Sequence, residues 1–371
     1  MTTLRPFIPG LELSRILFKD AVEPLLCEHF PELRYAAGLI GSGSDVLGFD
    51  TERSTDHDWG PRVFILIDDT IPHSTHEAIS GVMALHLPAT IAGYSTRYAE
   101  SPLEAGTKVL PEIATGGPMG HGVTTGTLGQ FLMSTCGIRS TQRIHAATWL
   151  TMSEQHLLEV TRGGVWRDDI GELTRARADL AWYPDDVWRY RLAAGWKRIA
   201  QHEAFIGRTG EVGDNLGSQL ITLALVRDIM QLAFLLERQY APYEKWFGAA
   251  FARLSLGPTL APFLDRARFA QGWREREATI VDAVQTLAHA QNDLGIAGPV
   301  DPTPRPFFNR PFQVLFAERF SDALVDAISD PDVLAMPRHL GGIDQYIDST
   351  DGRERIDLHL AIRAWLAGRA S

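Results

Sequence analysis

Gly41-Ser42-Gly43-Ser44 follows an apolar run, and Asp56 and Asp58 stand a short way beyond it, flanking His57. If residues 56–58 are extended, a period of two puts both carboxylates on one face and His57 on the other. Two carboxylates that close repel each other unless a cation lies between them. Hard oxygen ligands suit Mg2+, and Mn2+ accepts the same donors. The glycine-serine turn offers backbone N–H groups and hydroxyls, which a phosphate needs. The competing reading is a surface hairpin with a stray acidic pair.

These residues need elements to hold them. Leu33–Ile40 reads as a buried strand running into the turn, and Val63–Ile67 as a second strand continuing from the acidic pair, so 33–40 and 56–67 are expected to be adjacent. Leu11, Ile16, Leu17, Val22 and Leu25 recur at helical spacing and predict a helix packed on that sheet. Residues 73–87 carry a weaker helical pattern, with His73, His76 and His86 read as surface histidines rather than a zinc cluster. Gly93–Gly120 is rich in Gly, Pro and Thr and reads as an extended segment near Tyr94–Arg97 with a variable substrate-side loop. From about residue 140 long helical segments take over, with Arg162–Trp166 read as a turn between two of them.

The order apolar strand, Gly-Ser, then Asp-x-Asp resembles the signature of the polymerase-beta-type nucleotidyltransferase superfamily. More narrowly, GSGSDVLGFDTERSTDHDWGPR resembles a bacterial family known as domain of unknown function 4037, and the resemblance extends through LLEVTRGGVWRDD, GELTRARADLAWYPDDVW, EAFIGRTGEVGD and YAPYEKW. It implies an α+β fold, with a small mixed-sheet nucleotidyltransferase core over residues 1–140 and a mostly helical bundle over 141–371. It implies that Gly41, Ser42 and Ser44 hold the triphosphate of ATP or another NTP, and that Asp56 and Asp58 bind Mg2+ for attack on the alpha phosphate. Arg53 then either approaches the triphosphate or neutralises Glu52 and Asp50. A lysine after the bundle helix reaches back to the phosphates in similar antibiotic nucleotidyltransferases. That role falls to Lys245, whose alternative is packing its stem among aromatic residues.

One departure stands out. The superfamily's third carboxylate is expected at Thr124, and threonine cannot act as a general base near neutral pH. Glu203 shares a helical face with Trp188, Leu192, Trp196 and Ile199, in a helix expected from about Pro184 to Ile206. A carboxylate in such a stripe must be paired or face a cavity, so Glu203 is a candidate for the missing base or a substrate anchor. Its alternative is a helix-edge glutamate paired with Arg198 or with a tertiary partner. The implied reaction moves a nucleoside monophosphate from an NTP to a small-molecule hydroxyl and releases pyrophosphate. The alternatives are a nucleotide-binding sensor or scaffold with a degenerate site, and a protein-modifying nucleotidyltransferase.

Composition narrows the partners. The formal charge of −11 over 371 residues argues against a broad nucleic-acid surface. Leu216–Glu237 is apolar on nearly every side and belongs at the centre of a bundle, with Arg227 and Asp228 expected as an internal ion pair. No stretch is expected to reach the roughly twenty apolar residues of a membrane span. Cys27 and Cys136 have no metal-ligand spacing. A soluble, cytoplasmic protein is the expectation.

Overall fold

The computed structural model describes residues 6–101, 108–110 and 120–370. Residues 102–107 and 111–119 of the expected variable loop lie outside the described residues. The chain divides into two compact units, one of residues 1–142 and 156–181, the other of residues 143–155 and 182–371. The sequence places a single break near residue 140. The structure corrects this by returning 156–181 to the first unit, because that segment carries a strand of its sheet.

That sheet has four strands, β1 Tyr35–Leu39, β2 Val63–Ile67, β3 Val123–Gly126 and β4 Gly164–Asp168, in the order β3-β2-β1-β4. β1 is antiparallel to β2, with Gly38 opposite Phe64, and β2 is parallel to β3, with Phe64 opposite Thr124. β4 closes the far edge of β1, so Arg162–Trp166 is not merely a turn: Gly163 bends at φ +75° and Gly164 starts a strand. A β-carbon on Gly38 would lie 2.2 Å from the carbonyl oxygen of Gly164. Only glycine lets the two backbones meet at the irregularity between Ala37 and Gly38.

β1 and β2 are buried almost throughout, and alternation decides which of their side chains meet the N-terminal helices. Tyr35, Ala37, Val63, Ile65 and Ile67 share a core with Leu17, Phe18, Val22 and Leu26, and with Ile79 and Met83 of the helix His73–His86. The N-terminal helical stretch is therefore packed on the sheet as its periodicity predicts, running Gly10–Leu17, Phe18–Val22 as a π-turn, then Glu23–His29. Each fully buried Val, Ile or Phe contributes about 1.5–3 kcal/mol.

The second unit is helical, which makes the fold α+β. Its principal helices are α1 Asp185–His202, α2 Asn215–Leu236, α3 Trp273–Leu294 and α4 Glu318–Asp326. α2 packs on α1 and α3, and α1 also packs on α4. Trp188, Leu192, Trp196 and Ile199 form the buried stripe that their spacing predicts. α2 departs from expectation twice. By length and composition it is long and apolar enough to cross a membrane, although half of that stretch is buried in the unit. It also leaves Leu216, Leu220 and Leu223 exposed rather than buried on every side.

Candidate functional site

The antiparallel pairing of β1 and β2 brings the end of one and the start of the other to the same end of the sheet. After β1, Gly41 turns at φ +93° and donates its N–H to the Glu159 carbonyl, 2.9 Å away. Gly43 turns at φ +143°, and a single helical turn, Ser44–Leu47, follows. Among the described residues, nothing receives the N–H groups of Ser42, Gly43 and Ser44, and the hydroxyls of Ser42 and Ser44 are not hydrogen-bonded. The turn thus leaves donors open at Ser42, Gly43 and Ser44, whereas the N–H of Gly41, one of the expected phosphate holders, is committed to the Glu159 carbonyl.

What shapes the turn was missed by the motif reading. Asp45 is buried, and both its oxygens accept from one nitrogen of the Arg62 guanidinium, at 2.7 and 2.9 Å. Burial works against the charge on Arg62, but Asp45, together with Tyr98 and Asp58, offsets it and holds the guanidinium above its ordinary pKa. A β-carbon on Gly43 would lie 2.3 Å from Asp45 Oδ1 and 2.7 Å from Arg62 Nη2, so the second glycine gives the ion pair its room. Asp50 accepts from the Gly10 N–H at 2.7 Å and from the buried Trp59 indole at 3.0 Å. The available signal was the run Trp59-Gly60-Pro61-Arg62, an aromatic and a cation entering a strand.

The acidic pair requires a correction. Residues 56–62 do not continue β2, which begins at Val63. Asp56 ends a 3-10 turn, Glu52–Asp56, His57 is extended, and Asp58 adopts φ +46°. The alternation argument fails because the backbone is not extended on both sides of His57. Instead of lying opposite, the imidazole sits beside both carboxylates, with Nε2 3.9 Å from Asp56 Oδ2 and Nδ1 3.5 Å from Asp58 Oδ2. Asp58 also exchanges hydrogen bonds with Lys108, its N–H donating at 2.7 Å and its Oδ1 accepting at 3.1 Å. Both carboxylates are open to solvent. Arg53 is exposed on the same 3-10 turn, and Asp50, one of its expected partners, is taken by Gly10 and Trp59. Thr124 stands on the neighbouring strand β3 as expected and is exposed. No group of three or more His, Cys, Asp or Glu side chains gathers to hold a metal among the described residues.

The second unit holds the other two sequence candidates. Glu203 follows α1 directly and is buried, so the expected helix to Ile206 ends at His202. Its carboxylate accepts the Leu315 N–H at 2.9 Å and the Ala317 N–H at 3.0 Å. Burial pushes its pKa up to about 7 against the pull of those N–H groups. Its geometry is that of a clamp on the 315–317 backbone. Its expected alternative partner, Arg198, pairs with Asp228 at 2.9 Å. Lys245 is exposed, its ammonium 5.1 Å from the centre of the adjacent Trp246 ring.

Arg227 and Asp228 do not pair with each other. Adjacent helical residues point about 100° apart, so Arg227 reaches Glu244 at 3.0 Å while Asp228 takes Arg198. The spacing also gave no sign of a buried network centred on Glu154 and Arg191, which are ion-paired. Glu154 also accepts from the Ala241 N–H at 2.7 Å and Gln231 Nε2 at 3.2 Å, while Asp344 receives the Glu154 N–H at 3.0 Å. Burial raises the Glu154 pKa and Arg191 opposes that rise.

The first unit is therefore a mixed-sheet core with a donor-rich turn and two open aspartates at one end. Among solved structures, a nucleotidyltransferase-like protein from Exiguobacterium sibiricum is similar at 8% identity, covering 85% of this chain and 89% of that one with a TM-score of 0.32. A likeness at that level carries no argument. The family described as domain of unknown function DUF4037 matches residues 149–247, so the resemblance seen in the sequence is found over that segment. No curated protein matches.

Proposed function

We propose that the protein transfers a nucleoside monophosphate from an NTP, ATP first among them, to a small-molecule hydroxyl. The observation that carries this reading is the Asp45–Arg62 ion pair, which ties the segment entering β2 to the open Gly-Ser turn and so keeps phosphate donors and carboxylates at one end of the sheet. Ser42, Gly43 and Ser44 donate to the beta and gamma phosphates. The exposed Asp56 and Asp58 supply hard oxygens, and two protein carboxylates suit Mg2+, which takes its remaining ligands from phosphates and water. When bound, such an ion neutralises phosphate charge and aligns the reacting oxygens. The acceptor oxygen attacks the alpha phosphorus, the bond to the bridging oxygen breaks, pyrophosphate leaves, and the hydroxyl proton passes to solvent.

Calorimetry tests this directly. ATP is expected to bind in a Mg2+-dependent way, and D56A/D58A to lose the Mg2+ dependence while unfolding as cooperatively as wild type. Absence of binding by all four NTPs at millimolar concentration would overturn the proposal.

A second reading, nucleotide binding without turnover, has its own support: Thr124 offers no base, and both oxygens of Glu203 are engaged by backbone. The assay is pyrophosphate release from alpha-labelled ATP over a panel of aminoglycosides, polyols and cell extract. Activity in T124D but not in wild type favours the degenerate site. Activity in wild type that survives in E203Q removes Glu203 from the chemistry.

A further inference from the structure

Within the second unit, a cavity of about 190 Å3 lies beside α1 and α2 and the segment 344–348. Its charged walls are balanced, with Arg191, Arg198 and Arg227 against Asp228, Asp344 and Asp348. Two of these side chains are more than nine-tenths buried and incompletely satisfied. Asp228, 8% exposed, receives Arg198 on Oδ1 at 2.9 Å, while its Oδ2 has no hydrogen-bond donor. His202 Nδ1 lies 3.9 Å from Oδ2 and is itself without a hydrogen bond. Arg191, 1% exposed, gives one nitrogen to Glu154, but its Nε and Nη1 have no acceptor, Nη1 lying 4.0 Å from Asp344 Oδ2.

A buried polar atom left unpaired costs about 1–3 kcal/mol, more when charged. A ligand that satisfies both must bring a donor to the aspartate and an acceptor to the arginines. With the charges balanced, a ligand of net charge would leave one sign uncompensated. Leu232 and Leu235 line the same space and offer apolar contact to the body of the ligand. We propose that this cavity binds a small zwitterion, an amino acid with an apolar side chain, with its ammonium at Asp228 and its carboxylate at the arginines. The site is independent of the nucleotide chemistry proposed above.

The test uses the full chain without nucleotide or Mg2+, so its outcome leaves the transferase reading untouched. Thermal unfolding and calorimetry are run with leucine, valine, methionine and phenylalanine at millimolar concentration. N-acetyl-leucine, leucinamide and myo-inositol are run in parallel. At least one amino acid is expected to bind and raise Tm, with its blocked forms at least about tenfold weaker, since each lacks one charge-assisted contact. D228N is expected to abolish this binding. R227M, altering a half-exposed side chain, is expected to weaken it about tenfold while leaving cooperative unfolding in place. The proposal is overturned if none of the four amino acids binds, if leucinamide or N-acetyl-leucine binds as well as leucine, if inositol binds better, or if R227M binds like wild type.

Discussion

The carboxylates of Asp56 and Asp58 are 67% and 53% exposed and are held by one backbone N–H each and a neighbouring histidine, whereas Glu154 and Arg191 are each 1% exposed and bound into a network. The first arrangement leaves its ligand-binding capacity unspent. The second uses the Glu154 carboxylate internally, although two Arg191 nitrogens still lack an acceptor. Burial makes a charge expensive to leave unpaired, so the enclosed pair must matter for stability, while exposed carboxylates can be removed at little cost to the fold. A charge that is open to solvent, or buried with an atom still unpaired as in Asp228, can serve a ligand, whereas a buried charge whose atoms are all engaged serves the chain.

Breaking the buried pair should have the largest effect. E154A or R191M leaves the partner uncompensated in the interior, and is expected to cost roughly 3–5 kcal/mol in chemical denaturation, while replacing both residues together should cost less than the sum. A neutral double variant as unstable as the sum would mean the two charges act independently.

Next comes Glu203, whose clamp sharpens the comparison through pH. Its folded pKa is raised from 4.5 to about 7, so the native state holds this proton more tightly than the unfolded chain. Its contribution is fully present below about pH 4.5 and is lost as pH rises through 7. Unfolding at pH 5 and pH 8 should show a stability difference that shrinks in E203Q, because glutamine does not titrate, by an amount on the order of 1–3 kcal/mol. E203A should destabilise at both pH values by leaving the Leu315 and Ala317 N–H groups unpaired. An unchanged pH difference in E203Q would show that Glu203 is not the group responsible for it.

G43A is expected to disturb the first unit by about 1–3 kcal/mol, through its φ of +143° and its closeness to Asp45 and Arg62. Nucleotide affinity should fall further than stability does, since the turn itself is the proposed phosphate holder. At the low end, D56A/D58A and K245A should each change stability by no more than about 0.5 kcal/mol. D56A/D58A should nevertheless remove Mg2+-dependent nucleotide binding, and K245A should leave that binding unchanged if its only partner is Trp246. A K245A variant with much weaker ATP affinity would restore lysine to the phosphate-binding role.

What could be read along the chain was what depends on near neighbours. The strands at 35–39 and 63–67, the N-terminal helix, the face of α1 and the donor-rich turn all follow from local periodicity or from residues a few positions apart. Failures came where a partner is distant in sequence. β4 pairs with a strand more than 120 residues earlier, and nothing in Gly164–Asp168 announces that partner. Asp45 and Arg62, Glu154 and Arg191, and Glu203 and the 315–317 backbone meet only once the chain has folded. Even the nearby Asp56 and Asp58 were misjudged, because a period of two holds only in extended backbone and the 3-10 turn before His57 breaks it. The sequence by itself determined the residue types available for chemistry and the local elements that carry them. Tertiary structure decided which charges are buried, and desolvation then fixed which of them are committed to the fold.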